Sequence, residues 1–294
     1  MALADVEYLE YAPRQASGVL VVSNRYIVTR GTTNRGVSVF DTTTHTSRAF
    51  EAFGDTFYSA GDALFSYDGD VWFINGIATS SYRARPVFTR LDLSSGDGTQ
   101  YAPTGWEYPN GWAFDLTCFV AGDLVWTVER GFDYEYMGYW DMTSMTWTRV
   151  QANAWPTLVN GKIYASGSKK VYNASTGAAL SDRSANFPFN SSQAPRGFVD
   201  SSNILWYANG SDLASWDAST DSAYRSPIAS GARGWPTLGP DGLVYSVNSA
   251  GVTVADRVSG AIRTESFTTS RGERLRVVVV GGKLWTPHGY PLSH

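Results

Sequence analysis

Pairs of short apolar runs, each pair joined by two or three turn-forming residues, recur along the whole chain. In the first copy, residues 19–22 (VLVV) and 26–28 (YIV) flank Ser23, Asn24 and Arg25. Apolar runs around residues that accept a positive φ are typical of β-hairpins. The pattern predicts seven hairpins, with turns near residues 24, 69, 122, 161, 202, 241 and 282.

A second pattern lies in the outer half of the repeats, where Asp or Asn precedes a turn rich in Ser, Thr and Gly. An oxygen of such a side chain can accept the backbone N–H two residues further on and close the turn. We therefore interpret six side chains as turn residues and not as catalytic groups: Asp41, Asp92, Asp141, Asn173, Asp217 and Asp256.

The hairpins follow one another at intervals of about 40 to 50 residues, a period typical of β-propellers with four strands per blade. The sequence therefore predicts one all-β domain over residues 1–294, a seven-bladed β-propeller of four-stranded antiparallel blades. The residues after Lys283 leave room for only three strands in the last blade. We expect residues 6–11 to join the blade that contains Leu284 and Trp285 as its outer strand and to close the ring.

Two stretches of the chain resemble known propeller repeats. Residues 140–147 (WDMTSMTW) resemble the kelch pattern of an aromatic-Asp pair, a Thr/Ser turn and a later Trp, and residues 160–164 (NGKIY) are also similar to it. Residues 171–177 (VYNASTG) are closer to the quinoprotein-type repeat. The resemblance covers nearly the whole chain in degenerate form, without the Gly-Gly doublet that follows the second strand of kelch repeats. It implies a seven-bladed propeller.

Charge and hydropathy exclude several classes of partner. The net charge is −4 and the isoelectric point is near 5.4, so the chain has no basic stripe for nucleic acid. No apolar run reaches 18 residues, so we predict no membrane insertion. The first residues show neither a basic region nor an apolar region, and we expect no signal peptide.

Residues with catalytic or metal-binding chemistry are few. The chain has three His and one Cys, and they form neither a Ser-His-Asp set nor a zinc-ligand cluster. Calcium-loop motifs and phosphate-binding Gly motifs are also missing from the sequence. We therefore predict no catalytic residue, no metal site and no cofactor.

The extra length of the chain falls in loops that a propeller would place on the face opposite the hairpin turns. These loops comprise residues 75–86, 101–112, 129–136 and 184–196. Aromatic and Arg side chains on such loops are typical of recognition surfaces, although some of them could pack between blades instead. The predicted binding residues are Tyr82, Arg83, Arg85, Trp106, Tyr108, Trp112, Phe132, Tyr134 and Tyr136.

These features favour a non-enzymatic binding or assembly module that recognises a partner protein or a surface glycan. A composition rich in Gly, Ser, Thr and aromatic residues but poor in Lys, without an export signal, favours a bacteriophage virion protein of the tail tip or minor tail. One alternative is a polysaccharide-cleaving hydrolase or lyase, with carboxylates drawn from Glu107, Asp115, Glu129, Asp133 and Glu135. Another is an intracellular, cytoplasmic adaptor of the kelch type.

Overall fold

The computed structural model describes residues 6–8, 16–31, 36–51, 64–80, 83–103, 108–109, 118–130, 135–183, 186–189, 197–209, 212–225, 236–239, 241–248, 251–256, 259, 261–266 and 278–286. Every regular element in these residues is a β-strand, which confirms the predicted all-β class. No helix within these ranges is long and apolar enough to span a membrane.

The described strands are numbered in chain order and grouped by sheet. The first are β1 (Val6–Tyr8) and the strands of blade one: β2 (Ala16–Val22), β3 (Tyr26–Gly31), β4 (Gly36–Asp41) and β5 (Thr46–Glu51). Blade two has β6 (Leu64–Tyr67), β7 (Asp70–Ser80), β8 (Arg83–Leu91), β9 (Gly98–Tyr101) and β10 (Tyr108–Pro109). Blade three has β11 (Phe119–Ala121), β12 (Leu124–Arg130), β13 (Glu135–Asp141) and β14 (Thr146–Ala152).

The remaining strands complete the second half of the chain. Blade four has β15 (Pro156–Val159), β16 (Lys162–Ala165), β17 (Lys170–Asn173) and β18 (Ala179–Arg183). Blade five has β19 (Gly197–Val199), β20 (Ile204–Asn209), β21 (Asp212–Asp217) and β22 (Ser222–Arg225). Blade six has β23 (Thr237–Leu238), β24 (Val244–Asn248), β25 (Gly251–Ala255) and β26 (Ile262–Ser266), and the last strands are β27 (Val278–Val280) and β28 (Lys283–Thr286).

Each blade pairs its strands antiparallel and in chain order, and the first strand is the innermost. The innermost strands of neighbouring sheets contact one another: β2 lies beside β6 and β27, and β23 lies beside β19 and β27. Blade two differs from the others because two segments share the outer edge of β8, with β9 at one end and β10 at the other.

The prediction of seven four-stranded antiparallel blades is wrong, because only six of the described sheets have four or more strands. The remaining sheet has three strands in the order β1-β28-β27. In this sheet β1 lies directly against β28 and runs parallel to it, with Val6 opposite Leu284. The predicted pairing of the N-terminal strand with the strand that contains Leu284 and Trp285 is therefore confirmed, but β1 is the third strand of its sheet and parallel, whereas the prediction made it the fourth strand of an antiparallel blade. Spacing along the sequence locates hairpins, but it does not determine the number or direction of the strands added outside them.

The hairpin turns have the backbone conformation that their residues predict. Ser23 and Asn24 have φ values of 52° and 47°, and Asp68 and Gly69 have φ values of 50° and 80°. Two consecutive positive φ values give a turn whose twist matches that of the flanking strands, and Asn, Asp and Gly tolerate them best. The predicted turn chemistry is confirmed at these positions. Asn24 also accepts a 2.9 Å hydrogen bond from the backbone N–H of Gly281, 257 residues away in sequence.

The outer turns confirm the predicted role of the repeated acids and of Asn173. In each turn the side-chain oxygen accepts a backbone N–H two or three residues on; the donors are Thr43 (2.9 Å), Ser94 (2.8 Å), Thr143 (2.9 Å), Ser175 (3.0 Å), Ser219 (2.7 Å) and Ser259 (3.3 Å). In blade two, the hydroxyl and N–H of Ser94 lower the pKa of Asp92 from 3.8 to about 2. The Asp92 carboxylate therefore stabilises its turn in the ionised form.

Aromatic side chains form much of the packing between blades. Phe88 of blade two meets Trp140 of blade three edge to face, with ring centroids 5.0 Å apart. On the other side of blade three, the indole N–H of Trp126 donates to the carbonyl of Ala174 in blade four at 2.7 Å. Contacts of this kind join blades two, three and four, so this part of the core consists of layers of side chains between neighbouring blades.

Candidate functional site

Five of the predicted binding residues lie outside the described residues: Tyr82, Trp106, Trp112, Phe132 and Tyr134. For Arg83 and Tyr108 the structure describes the backbone. Pairing of β10 with β8 brings these two segments together, with Tyr108 opposite Ala84 and Pro109 opposite Arg83. The end of blade two therefore gathers backbone from two of the predicted loops.

Arg85 and Tyr136 are the predicted binding residues whose side chains the structure describes. Arg85 lies exposed on β8. Tyr136 lies half-buried at the start of β13, with the guanidinium carbon of Arg149 5.0 Å from the centroid of its ring. A cation over a tyrosine ring is attracted to its negative face. Tyr136 is therefore part of a larger arrangement at the loop end of blade three.

The centre of this arrangement is Glu129, whose side chain is fully buried. Its two carboxylate oxygens accept from Arg149, with Nε 2.7 Å from Oε2 and Nη2 2.6 Å from Oε1. The indole N–H of Trp147 also donates to Oε2, at 3.0 Å. A bidentate contact of this kind fixes the guanidinium in one orientation. We name Glu129, Tyr136, Trp147 and Arg149 the rim cluster.

Gly138 makes the rim cluster possible. It lies between Glu129 and the outer strand, and a Cβ there would lie 2.2 Å from the carbonyl oxygen of Thr148 and 2.8 Å from the ring of Trp147. A side chain at this position would therefore displace the indole. With glycine, the indole lies across the sheet and its N–H reaches the buried carboxylate. The register of β13 against β14 also shifts between Met137 and Gly138, a local irregularity at the same place.

Glu129 and Glu135 lie on opposite faces of the blade-three sheet. Glu129 pairs with Tyr136 across the ladder, so Glu135 belongs to the other side of the pleat. Glu129 contacts Trp147, which packs against the aromatic layer shared with blade two. Glu135 accepts a 3.3 Å hydrogen bond from the indole of Trp155, at the start of blade four. The two carboxylates therefore do not face one another across a common cleft.

The insertion at residues 184–196 is used partly for packing. Phe187 is 2% exposed and packs on Tyr164 and Trp216, with centroid distances of 5.5 Å and 5.2 Å. The backbone N–H and side-chain amide of Asn186 donate to Asp221. Residues 186–189 therefore fill the contact between blades four and five, and the aromatic residues of this loop belong to the core.

Trp147 and Arg149 are not among the residues that the sequence predicts to bind. They lie on the outer strand β14, whereas the predicted binding residues were assigned to loops. One signal was present: residues two apart on a strand share a face, so Trp147 and Arg149 lie side by side. Linking them to Glu129 required the register of three strands. Among the described residues, no group of three His, Cys, Asp or Glu side chains could hold a metal ion.

The chain matches no known family model and no curated protein sequence. Solved structures are similar in fold. One is the extracellular domain of a protein described as a hybrid two-component system, BT4673 from B. thetaiotaomicron, with a TM-score of 0.66 and 13% identity over 97% of this chain and 38% of that chain. The corresponding domain of BT3049 has a TM-score of 0.59 and 10% identity, over 97% and 40%.

A third similar structure is that of a streptogramin B lyase, with a TM-score of 0.60 and 13% identity over 94% of both chains. The chain is a β-propeller. At these identities the likeness shows the fold alone. The chain spans about two fifths of the length of the two-component-system structures.

Proposed function

We propose that this propeller is a non-enzymatic binding module, which recognises a partner protein or a surface glycan through the loop end of blades two and three. The rim cluster is the observation that carries the proposal. It joins a fully buried carboxylate to an Arg149 side chain that remains 43% exposed. Replacing a buried ion pair by apolar residues is often neutral or stabilising. Stability alone is therefore a weak reason for such a pair at this position.

The geometry of the rim cluster suits recognition. Glu129 holds the guanidinium of Arg149 in one orientation, and the ring of Tyr136 lies beneath it. A side chain that is already ordered loses little conformational entropy when a ligand binds, and Tyr and Arg are common in binding hot spots. The described ends of the blade-three loop, Arg130 on β12 and Glu135 on β13, lie at this end of the sheet. A ligand that contacts this loop would therefore meet a rigid surface.

The geometry gives less support to the polysaccharide-cleaving alternative. Glycosidases use two carboxyl groups about 5 to 10 Å apart on either side of one bond. Glu129 and Glu135, the two candidate carboxylates that the structure describes, face different neighbouring blades. Each accepts a hydrogen bond from a tryptophan indole. This pair is therefore better suited to holding aromatic and cationic side chains in place than to acid and base catalysis.

We further propose that the module works in a bacteriophage virion, as a tail-tip or minor tail component whose partners are virion proteins or host-surface glycans. The support is compositional: the chain has 11 Trp, 17 Tyr and 29 Gly among 294 residues, with 17% charged residues. Antibody detection of the chain in gradient-purified phage particles tests this location. Its absence from such particles would contradict the virion proposal and leave the binding proposal to be judged separately.

The experiment for the binding proposal uses two matched tyrosines. Tyr136 lies beneath Arg149, which is paired with Glu129, and Tyr26 lies beneath Arg25, which is paired with Asp41. The first pair lies at the loop end and the second beside a hairpin turn. Tyr136→Ala should weaken binding to host-envelope polysaccharide or virion proteins by about 30-fold, the effect of losing one hot-spot contact. Tyr26→Ala should change it by less than about twofold.

Equal loss of affinity in both variants would contradict a site at blades two and three, since it would indicate a general loss of folding. Unchanged affinity in Tyr136→Ala would contradict it as well. The same polysaccharides, incubated with the protein, are assayed for new reducing or unsaturated chain ends. Appearance of such ends would overturn the non-enzymatic proposal and establish the hydrolase or lyase alternative.

A further inference from the structure

A solvent-open cavity of about 440 Å³ lies where the innermost strands of blades one, five and six meet β27 of the three-stranded sheet. It is separate from the rim cluster, which lies in blade three. Four neighbouring innermost strands supply its walls. The apolar side chains that matter most for its chemistry are Val19 and Val21 on β2, Phe198 and Val199 on β19, Leu238 on β23 and Val279 on β27.

None of the described residues that line this cavity has a charged side chain. Apart from the hydroxyl of Thr237, its side chains are those of Val, Leu, Phe and Pro, with one Gly. Water in such a space has few side-chain partners for hydrogen bonds, and transferring apolar surface from water into it is favourable. A charged ligand would lose part of its hydration without finding a counter-charge on the described lining. The lining therefore selects for an uncharged, apolar occupant.

The size and rigidity of the cavity suit a small molecule. Pockets for small molecules usually range from about 300 to 1,000 Å³ and are largely preformed. The walls here belong to strands and not to loops. At Gly197 the wall strand β19 approaches β20 so closely that a Cβ would lie 2.0 Å from the carbonyl oxygen of Trp206. A wall packed this tightly cannot move aside easily, so binding would require little rearrangement.

We propose that this cavity binds one uncharged apolar small molecule, of the size of a substituted naphthalene. The inference goes beyond the proposed function, because it concerns a different site and a different class of ligand. The cavity and the rim cluster are predicted to act independently. A change in one should leave binding at the other intact.

The test uses N-phenyl-1-naphthylamine, an uncharged probe that fluoresces in apolar surroundings. The protein should bind it saturably with one molecule per chain. Val279→Trp should abolish this signal by filling the cavity. Val199→Thr keeps the shape of the wall but adds a hydroxyl, and it should raise the Kd of the probe about tenfold. The matched control is Val120→Thr, on the innermost strand of blade three and outside the cavity, which should change the Kd by less than about twofold.

Three results would overturn the proposal. The first is the lack of saturable binding to the folded protein. The second is an unchanged Kd of the probe in Val199→Thr. This variant carries the test alone if circular dichroism shows that Val279→Trp does not fold. The third is binding of the anionic analogue 8-anilinonaphthalene-1-sulfonate as tightly as the neutral probe, because the uncharged lining should disfavour it by at least about tenfold.

Discussion

Replacing Glu129 by Gln tests whether the charge on this buried side chain holds the rim cluster together. The amide has nearly the same shape as the carboxylate but no charge, and one of its oxygens becomes a donor. At least one of the N–H groups of Arg149 and Trp147 then faces another donor instead of an acceptor. Glu129→Gln is therefore a change of charge and polarity with little change in packing.

The expected cost follows from the burial of the two partners. Removing one member of a buried ion pair typically costs 3–5 kcal/mol, because the remaining charge is left uncompensated. Here Glu129 is fully buried, whereas the Arg149 side chain is 43% exposed and stays partly hydrated. We therefore expect a smaller loss in the free energy of unfolding, about 2–4 kcal/mol. For a chain of this size this corresponds to a decrease in Tm of about 3–7 °C.

The matched comparison removes both charges. Of the hydrogen bonds described in the rim cluster, the double variant Glu129→Leu with Arg149→Met leaves the indole N–H of Trp147 without its acceptor, at a cost of about 1 kcal/mol. It should therefore be more stable than Glu129→Gln in urea and thermal unfolding followed by circular dichroism. A Tm of Glu129→Gln equal to that of the wild type would refute the reasoning, as would a double variant less stable than the single one.

Three further predictions concern other parts of the molecule. Gly138→Ala should displace the indole beside it and lower the free energy of unfolding by more than about 2 kcal/mol. In the control Gly161→Ala the new Cβ would meet no atom within 4 Å, so the loss should be about 1 kcal/mol, caused by the positive φ at this position. Urea unfolding of the two variants measures both losses. Phe187→Ala should lower the free energy of unfolding by about 3–5 kcal/mol, while a loss below 1 kcal/mol would show that its loop is not part of the core. The pKa of Asp92 is lowered from 3.8 to about 2, so its contribution to stability is present above pH 4 and is lost as the pH falls towards 2. Carbon-13 NMR of the carboxyl group should show this titration, and Asp92→Asn should make the acid limb of stability less steep.

The elements that were predictable from sequence are those encoded by neighbouring residues. The positive φ values at Ser23 and Asn24 follow from the preferences of single residues, and so does the turn that Asp141 closes. The burial of Phe187 was harder to predict from sequence, because the residues of a loop do not indicate which part of the protein the loop packs against. The rim cluster depends on three strands in register, and Glu129 is 20 residues from Arg149 in sequence. Such contacts are determined by packing, which periodicity does not encode.

The number and direction of the strands in the last sheet were predicted wrongly for a related reason. The spacing of the hairpins correctly located β27 and β28, and β1 pairs beside them as predicted, but its parallel direction depends on contact between segments far apart in the chain. Backbone pairing is similar in energy for parallel and antiparallel neighbours, so direction is decided by how the chain reaches the sheet. The route by which the chain reaches the sheet is set by the whole fold, so the spacing of sequence motifs does not predict it.

The parallel pairing of β1 with β28 also has a consequence for the order in which the protein is made. Each of the six blades is built from one continuous stretch of chain, so its strands can pair soon after they leave the ribosome. In contrast, β1 pairs Val6 with Leu284 of β28, so its partner is translated long after it. At about 5–20 residues per second, the nascent chain carries an unpaired β1 for some tens of seconds. This strand is only three residues long, and the short length limits its ability to recruit other chains during that interval.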